Sequence, residues 1–399
     1  MITYLTSGES HGPQLTAIIE GFPAGVKIDL ERLNFQLARR QKGYGRGGRM
    51  KIETDTAEVV SGIRNGSTLG SPICLVIKNK DWANWTKIMH PFESIASDLN
   101  LKEKRLAYET TQPRPGHADL SGGIKYNTHD MRNILERASA RETAARVAVG
   151  SICRQLLEHF EIKFASHVVQ IGKVKLPSRI KIKNIEQLIE ITENSEVRCC
   201  DQTTETKMIE AIRTAKKKRD SLGGVAEIIV ANLPVGLGGF SQPERRLDSR
   251  LAANLMAIPS VKGVEFGLGF KSSTMLGSQV HDEIFYKKGS NPFKKDFFRK
   301  TNNAGGLEGG MTNGENLVMR VAAKPISTLN KPLKTVDAKT KKAGLAMVER
   351  TDNCVVPALG VVAEASVAMI LADVFLEKFG GDSFAEISSN YSNYLNSDY

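Results

Sequence analysis

The chain has 399 residues, of which 41% are hydrophobic and 25% charged, as is ordinary for a soluble globular protein with a substantial core. The five cysteines are odd in number and lack the spacing of metal ligands, which argues against a disulfide scaffold and a zinc site. We therefore expect reduced thiols, no bound metal and a cytoplasmic location. The net charge of +11 leaves nucleic acid, a membrane surface and small anions open as partners.

Short apolar runs bounded by turn residues predict strands, and apolar residues at a 3.6-residue period predict helices. In chain order these are a strand at 15–20, a helix at 30–40 capped by Asp29, strands at 59–61 and 73–78, an extended piece at 122–126, a helix from Thr128 to about Phe160, strands at 166–171 and 225–231 with a polar helical region between them, a helix at 247–257, strands at 263–270 and 317–323, and a helix at 363–379.

The order of these elements predicts the fold class. Strands and helices do not alternate regularly, which favours an α+β layered sandwich over a doubly wound sheet. No linker-like run divides the chain, so we expect one domain over residues 1–399, with a frayed polar tail at 388–399. The apolar stretch 355–379 is interrupted by Pro357, Glu364 and Asp373, which predicts a buried helix and no membrane span.

A glycine-rich basic loop follows the first predicted helix. Residues 43–48 match G-x-G-x-x-G, but the dinucleotide fingerprint requires a strand before the motif and a helix starting within it. An arginine–glycine RNA-binding segment is the other alternative, although such segments are usually repeated. We interpret the loop as one that grips an anion, with the charge supplied by Arg40, Arg46 and Arg49.

Two histidines lie in loops whose composition suggests a functional role. His11 is framed by glycines, and His117 lies in a loop stiffened by prolines, Arg114-Pro115-Gly116-His117. Arg137 and Arg141 are four residues apart, so they would share one side of the predicted helix. Guanidinium groups bind phosphate and carboxylate, and imidazole moves protons near neutral pH. The pattern therefore suggests removal or transfer of a phosphate on a small anionic substrate.

Taken together, these segments resemble the chorismate synthase family over nearly the whole chain. The blocks that carry the resemblance are 8–13, 39–51, 113–126, 132–149, 236–238, 262–270, 301–314, 324–329 and 349–352. The resemblance implies a β-α-β sandwich, with helices packed between two antiparallel sheets, assembled as a homotetramer. It also implies conversion of 5-enolpyruvylshikimate-3-phosphate to chorismate and phosphate by an anti-1,4-elimination that requires reduced flavin mononucleotide (FMN).

The resemblance also implies roles for individual residues. His11 would protonate the departing phosphate, His117 would lie near the reduced flavin, and Asp352 would help to relay the proton lost from the ring. The implied substrate contacts are Ser10, Arg40, Arg46, Arg49, Arg114, Ser139, Ala140, Arg141 and Arg350. The implied flavin-pocket positions are His117, Arg137, Ser139, Ala140, Gly310, Met311, Asn313, Lys324, Ile326, Thr328 and Asp352.

The chain departs from the family pattern at four places. At one of them, Ile258-Pro259-Ser260 precedes residues 261–263 in place of the family's usual sequence. Ala138 replaces a serine, Thr351 is unusual between its neighbours, and residues 242–246 contain Pro243 in an atypical loop. The lack of a nicotinamide fingerprint predicts a separate flavin reductase or a chemical reductant. Two rival functions remain: a flavin-binding homologue without catalytic activity, and nucleic-acid binding through the loop at 39–49.

Overall fold

The computed structural model describes residues 1–47, 54–92, 109–178, 180, 182–289, 291–349 and 351–397. Its strands are β1 Thr3–Ser7, β2 Gln14–Glu20, β3 Glu58–Ser61, β4 Ile63–Arg64, β5 Ser67–Thr68, β6 Ile73–Lys78, β7 Lys163–Ile171, β8 Val174–Lys175, β9 Gly224–Ala231, β10 Val261–Phe266, β11 Ile284–Tyr286, β12 Phe297–Arg299, β13 Leu307–Glu308, β14 Met311–Thr312, β15 Leu317–Ala323, β16 Lys334–Val336 and β17 Ala343–Leu345.

The helices of the described residues are α1 Leu30–Gln41, α2 Asp119–Lys125, α3 Arg132–Leu135, α4 Thr143–Glu158, α5 Ile185–Asn194, α6 Gln202–Lys217, α7 Leu247–Met256, α8 Gly277–Val280, α9 Val356–Phe379 and α10 Phe384–Asn396. Single 3₁₀ turns lie at Lys80–Asn84, Ala140–Glu142, Pro243–Arg245, Gly269–Thr274 and Pro292–Lys294. Asp29 caps α1 as predicted, since its carboxylate accepts the amides of Glu31 and Arg32.

Two antiparallel sheets form the outer layers. The first has the strand order β1-β2-β6-β3, and the second has the order β10-β15-β9-β7-β8. Helix α4 packs against the four-stranded sheet, whereas α9 packs against β7 and β9 of the five-stranded sheet. The two helices also pack on each other, with α1 against both, so the helices lie between the sheets as expected.

The contact between α4 and α9 depends on small side chains. A Cβ placed on Gly150 of α4 would come within 2.5 Å of the Ala365 side chain of α9, so only glycine permits this separation. Helix α9 is apolar on all sides because it is covered on all sides, and most of its residues are buried. Its length and composition alone would suit a membrane span, but 83% of its most apolar window is buried inside the protein.

Three predicted boundaries in this part of the fold are corrected. Helix α9 begins at Val356 rather than 363, because Pro357 lies in the first turn, where its missing amide costs nothing. Strand β10 ends at Phe266, since Gly267 has φ +54° and turns the chain. The tail predicted to be frayed instead forms α10 as far as Asn396, with Ile387 and Tyr391 buried.

The single helix predicted from Thr128 to about Phe160 is wrong. The chain forms α3, then a 3₁₀ turn, then α4, and residues 122–126, predicted to be extended, fall largely within α2. The break occurs because Ser139 adopts an extended conformation, with ψ 143°, and its hydroxyl accepts the amide of Arg141. Arg137 and Arg141 therefore do not share a helix side, and the break carries the site residues described below.

Candidate active site

Two arginines meet on one buried carboxylate. Arg40, in the last turn of α1, donates to Asp55 Oδ2 at 3.2 Å, and Arg141 donates to Asp55 Oδ1 at 2.5 Å. Arg40 also bonds to Thr143 Oγ1 and to the carbonyl of Ala140, which fixes it against the break before α4. All three charged side chains are almost completely buried.

Among the described residues, this pair lies in an excess of positive charge. Burial and the neighbouring charges of Arg141 and Arg46 together lower the pKa of Arg40 to about 10, although the charges of Asp55 and Asp352 oppose them. A guanidinium rarely leaves its usual range, because it is delocalised and strongly basic. The electrostatic repulsion between such closely spaced cations is reduced when a multiply charged anion binds between them.

Arg46 and the glycine-rich loop are anchored by Asp352. The Asp352 carboxylate lies 3.1 Å from Arg46 Nη1 and accepts the backbone amide of Gly47. A Cβ on Gly47 would approach the Thr351 carbonyl oxygen to 2.7 Å, so glycine is needed at this position. The predicted site residues Arg49 and Arg350 lie outside the described residues.

His11 is held from two sides. Its Nδ1 lies 2.9 Å and 3.0 Å from the two carboxylate oxygens of Glu136, whose Oε2 also accepts the His11 amide at 2.8 Å. Trp85 constrains the imidazole as well, because its ring stacks on the imidazole with 3.9 Å between the two ring centroids. The loop continues through Ser10, whose hydroxyl lies 3.2 Å from that of Ser139.

Asn79 connects the His11 loop to the arginine pair. Its side-chain amide donates to the carbonyls of Glu9 and Gly12, and its side-chain oxygen accepts Arg141 Nε at 2.9 Å. The backbone of the His11 loop and the guanidinium of Arg141 are therefore bonded to one buried side chain.

His117 has a similar carboxylate partner. Asp119 accepts a hydrogen bond from His117 Nδ1 and three from Arg114, through its backbone amide, Nε and Nη2. Burial opposes ionisation of Asp119, but the hydrogen bonds from His117 and Arg114 outweigh it and hold the pKa of this carboxyl far below its usual range. Arg114 also donates to Thr328 Oγ1 at 2.8 Å, which brings a predicted flavin-pocket residue to the same place.

Glu349 links the two histidine clusters. Its carboxylate lies 3.5 Å from Arg114 Nη1 and 3.9 Å from Arg132 Nη1, and Arg132 donates to Glu136 at 3.0 Å. A continuous series of charged contacts therefore runs from His11 through Glu136, Arg132, Glu349, Arg114 and Asp119 to His117.

The residues expected at a flavin separate into groups. Lys324 donates to the Gly116 carbonyl beside His117, and Ile326 accepts the Ser221 hydroxyl. Gly310, Met311 and Asn313 lie on and beside the β13–β14 hairpin, which is bonded to residues 234–238. Among the described residues, no hydrogen bond or ion pair joins this hairpin to the Arg114 loop.

The Arg137 side chain binds the end of β1. Its guanidinium donates to the carbonyls of Thr6 and Gly8 and to the Thr6 hydroxyl, at 2.8–3.1 Å. These bonds attach the break before α4 to the end of β1. A role for Arg137 in flavin binding stays a prediction.

Seven residues that position the site were not predicted from the sequence. They are Asp55, Asn79, Trp85, Asp119, Arg132, Glu136 and Glu349. Asp119 had a usable signal, because it follows His117 by two residues in the same loop. Glu136 and Asp55 had none, since their partners are 125 residues away in one case and 15 and 86 residues away in the other.

The basic segment proposed for nucleic-acid binding is mostly turned inward. Arg39 is buried, with hydrogen bonds to Glu364 and Glu193, and Arg40 is buried on Asp55. Arginines that bind a phosphate backbone must reach the surface. The described part of this segment is therefore unsuited to a nucleic-acid groove.

Comparison with known proteins identifies the family. The family model described as chorismate synthase matches residues 2–376. The chorismate synthase of Alkaliphilus metalliredigens is 54% identical over 99% of both chains, and that of Bacillus subtilis is 52% identical over 98% of this chain and 97% of its own. A crystal structure of chorismate synthase superposes with a TM-score of 0.77 at 42% identity, covering 99% of this chain and 97% of the other. The chain belongs to the chorismate synthase family.

Proposed function

We propose that the protein converts 5-enolpyruvylshikimate-3-phosphate to chorismate and inorganic phosphate, in the presence of reduced FMN, as part of the shikimate pathway. The observation that carries the proposal is the convergence of Arg40, Arg46 and Arg141 near the Asp55 and Asp352 carboxylates, with the pKa of Arg40 lowered to about 10. The substrate bears a phosphate and two carboxylates, so it would neutralise this excess charge.

His11 would act on the leaving group. In the elimination the bond from the ring carbon to the phosphate oxygen breaks, and a proton leaves a second ring carbon. A dianionic phosphate leaves poorly, and a proton together with fixed positive charge lowers the barrier. The loop that carries His11 is joined to Arg141 through Asn79, which supports the role of His11 as the proton donor.

The chemistry of the residues around His117 fits a flavin phosphate and a reduced flavin ring. Lys324 supplies a cation, Thr328 a hydroxyl and His117 an imidazole oriented by Asp119, and all three lie at the Arg114 loop. When bound, reduced FMN would supply electron density as phosphate leaves and take up the ring proton. Asp352, partly exposed beside Arg46, would hold that proton in transit.

Three further properties belong to the proposal. We infer a homotetramer, a cytoplasmic location, and dependence on a separate flavin reductase or another reductant. Formation of chorismate from a nicotinamide cofactor and oxidised FMN, without a second protein, would contradict the last of these.

The function is tested by anaerobic incubation with 5-enolpyruvylshikimate-3-phosphate and chemically reduced FMN, with chorismate and phosphate measured together. We expect equal amounts of both products, and neither with oxidised FMN. The His11→Asn variant is expected to lower kcat by about 100-fold or more, whereas His129→Asn, at an exposed histidine, leaves it unchanged.

The assay also separates the rival functions. Binding of reduced FMN and substrate without either product would favour a homologue that has lost catalysis. Strongly salt-dependent RNA binding would favour the nucleic-acid alternative.

A further inference from the structure

The imidazole of His11 is constrained at its Nδ1 nitrogen. Both oxygens of Glu136 lie within 3.0 Å of Nδ1, and the same carboxylate binds the His11 backbone amide. Stacking on Trp85, with an interplanar angle of 26°, fixes the plane of the ring. A histidine whose Nδ1–H is bonded to a carboxylate presents Nε2 for chemistry, because the bond selects the tautomer and the orientation.

Glu136 is built to remain ionised. It is almost fully buried, and Arg132 donates to its Oε1 at 3.0 Å from four residues earlier. Burial opposes the charge, but the hydrogen bond and charge of His11 and the charge of Arg132 lower the pKa of the Glu136 carboxyl. Arg132 also lies over the Trp85 ring, 5.2 Å from its centroid, so these side chains form one packed unit.

We propose that Glu136 is the positioning residue of His11, holding the Nδ1 side of the imidazole so that Nε2 exchanges its proton with the departing phosphate. The part played by the phosphate rests on the proposed function. The orientation and tautomer of the ring do not, and they can be measured in the absence of substrate.

Glu136→Gln is the direct test, because glutamine keeps the size of the side chain and removes the charge. We expect kcat to fall by about 10–100-fold, with KM within about twofold, because the Glu136 carboxylate, within the described part of the chain, makes no hydrogen bond or ion pair with Arg40, Arg46 or Arg141. The double variant with His11→Asn is expected to be no slower than His11→Asn alone, since Glu136 acts only through His11. An additive loss in the double variant would overturn the proposal.

Nitrogen NMR of the His11 ring supplies a readout that a merely structural role would not move. In the unsubstituted protein we expect a protonated Nδ1, and in Glu136→Gln a larger share of the tautomer protonated only at Nε2. Identical ring spectra in the two proteins would overturn the proposal even if the variant were slow. Should Glu136→Gln not fold, Glu136→Asp shortens the side chain by one methylene group and so withdraws the carboxylate from Nδ1, and we expect the same direction of change in the ring spectrum.

The protein contains a matched control pair. His167 Nε2 lies 2.9 Å from Glu227 Oε1 across β7 and β9, away from the site. Glu227→Gln is expected to alter the His167 ring spectrum and to leave kcat unchanged. If the unsubstituted protein forms no chorismate, the proposed function fails, whereas the His11 spectrum still decides whether Glu136 sets the ring.

Discussion

Arg40 and Arg141 share one counterion, because their guanidinium groups lie on opposite oxygens of the buried Asp55 carboxylate. One negative charge is thus placed between two positive charges that the sequence keeps far apart. Removing one partner of a buried ion pair is costly, since it leaves an uncompensated charge away from water. The arrangement keeps both arginines in place before any substrate arrives.

The variant Asp55→Asn is expected to lower the free energy of unfolding by about 3–5 kcal/mol. Urea denaturation in the absence of ligands measures this change. Asp382→Asn, at an exposed position, is the control and should unfold at the same urea concentration as the unsubstituted protein. Equal midpoints for both variants would show that Asp55 does not hold the arginines.

Gly47→Ala should weaken substrate binding without changing the fold. The added Cβ would meet the Thr351 carbonyl at 2.7 Å, which pushes the loop away from Asp352 and displaces Arg46. A lost charge-assisted hydrogen bond of about 1.5–3 kcal/mol corresponds to a rise in KM of about 10–100-fold. Gly277→Ala, where a Cβ has ordinary contacts, serves as the control in the same steady-state assay.

Arg137→Met is expected to affect stability rather than flavin affinity. Its guanidinium donates to the partly buried carbonyls of Thr6 and Gly8, and losing hydrogen bonds from a charged group costs about 1.5–3 kcal/mol. Denaturation and titration of FMN into the same preparations would separate the two effects. A large loss of FMN affinity with unchanged stability would instead support the role implied by the family resemblance.

The Glu364→Gln variant should lose less of its unfolding free energy than the unsubstituted protein as the pH falls into the acidic range. The Glu364 carboxylate accepts hydrogen bonds from Arg39, Arg154 and Ser166. Burial opposes its charge, but the charge and hydrogen bond of Arg39 and the charges of Arg154 and Arg198 lower its pKa. A carboxyl with a lowered folded-state pKa stabilises the protein above its unfolded-state pKa of about 4.3, and this contribution is lost as pH falls further.

The difference in unfolding free energy between the two proteins should therefore be largest near neutral pH and shrink below about pH 4. Urea denaturation at a series of pH values measures it, with Glu190→Gln at an exposed position as the control. A difference independent of pH would show that Glu364 is not a charged partner of Arg39.

Seven of the strands and several helices followed from local patterns. Short apolar runs predicted β2, β6 and β15, and the cap at Asp29 predicted α1, because each depends on residues close together in the chain. The break between α3 and α4 could not be predicted this way. Its residues have helical periodicity, but Ser139 turns the chain and Glu136 is held by His11 from a distant loop.

For the same reason, the sequence predicted some residues of the candidate site but not the residues that orient them. Histidines and arginines attract attention by their type, so His11, His117, Arg40 and Arg114 were selected from the sequence. The carboxylates that orient them are common residues, and only the fold shows that Glu136 and Asp55 are buried against those cations.

Gly150 and Ala365 allow α4 and α9 to touch, and this contact has a consequence for the order of assembly. The segments that supply the site occur between residues 8 and 352, and helix α9 follows all of them in the chain. Contacts between such distant segments form late, because closing long loops costs entropy before any contact compensates for it. During refolding, recovery of helical signal should therefore precede recovery of the histidine–carboxylate contacts and of enzymatic activity.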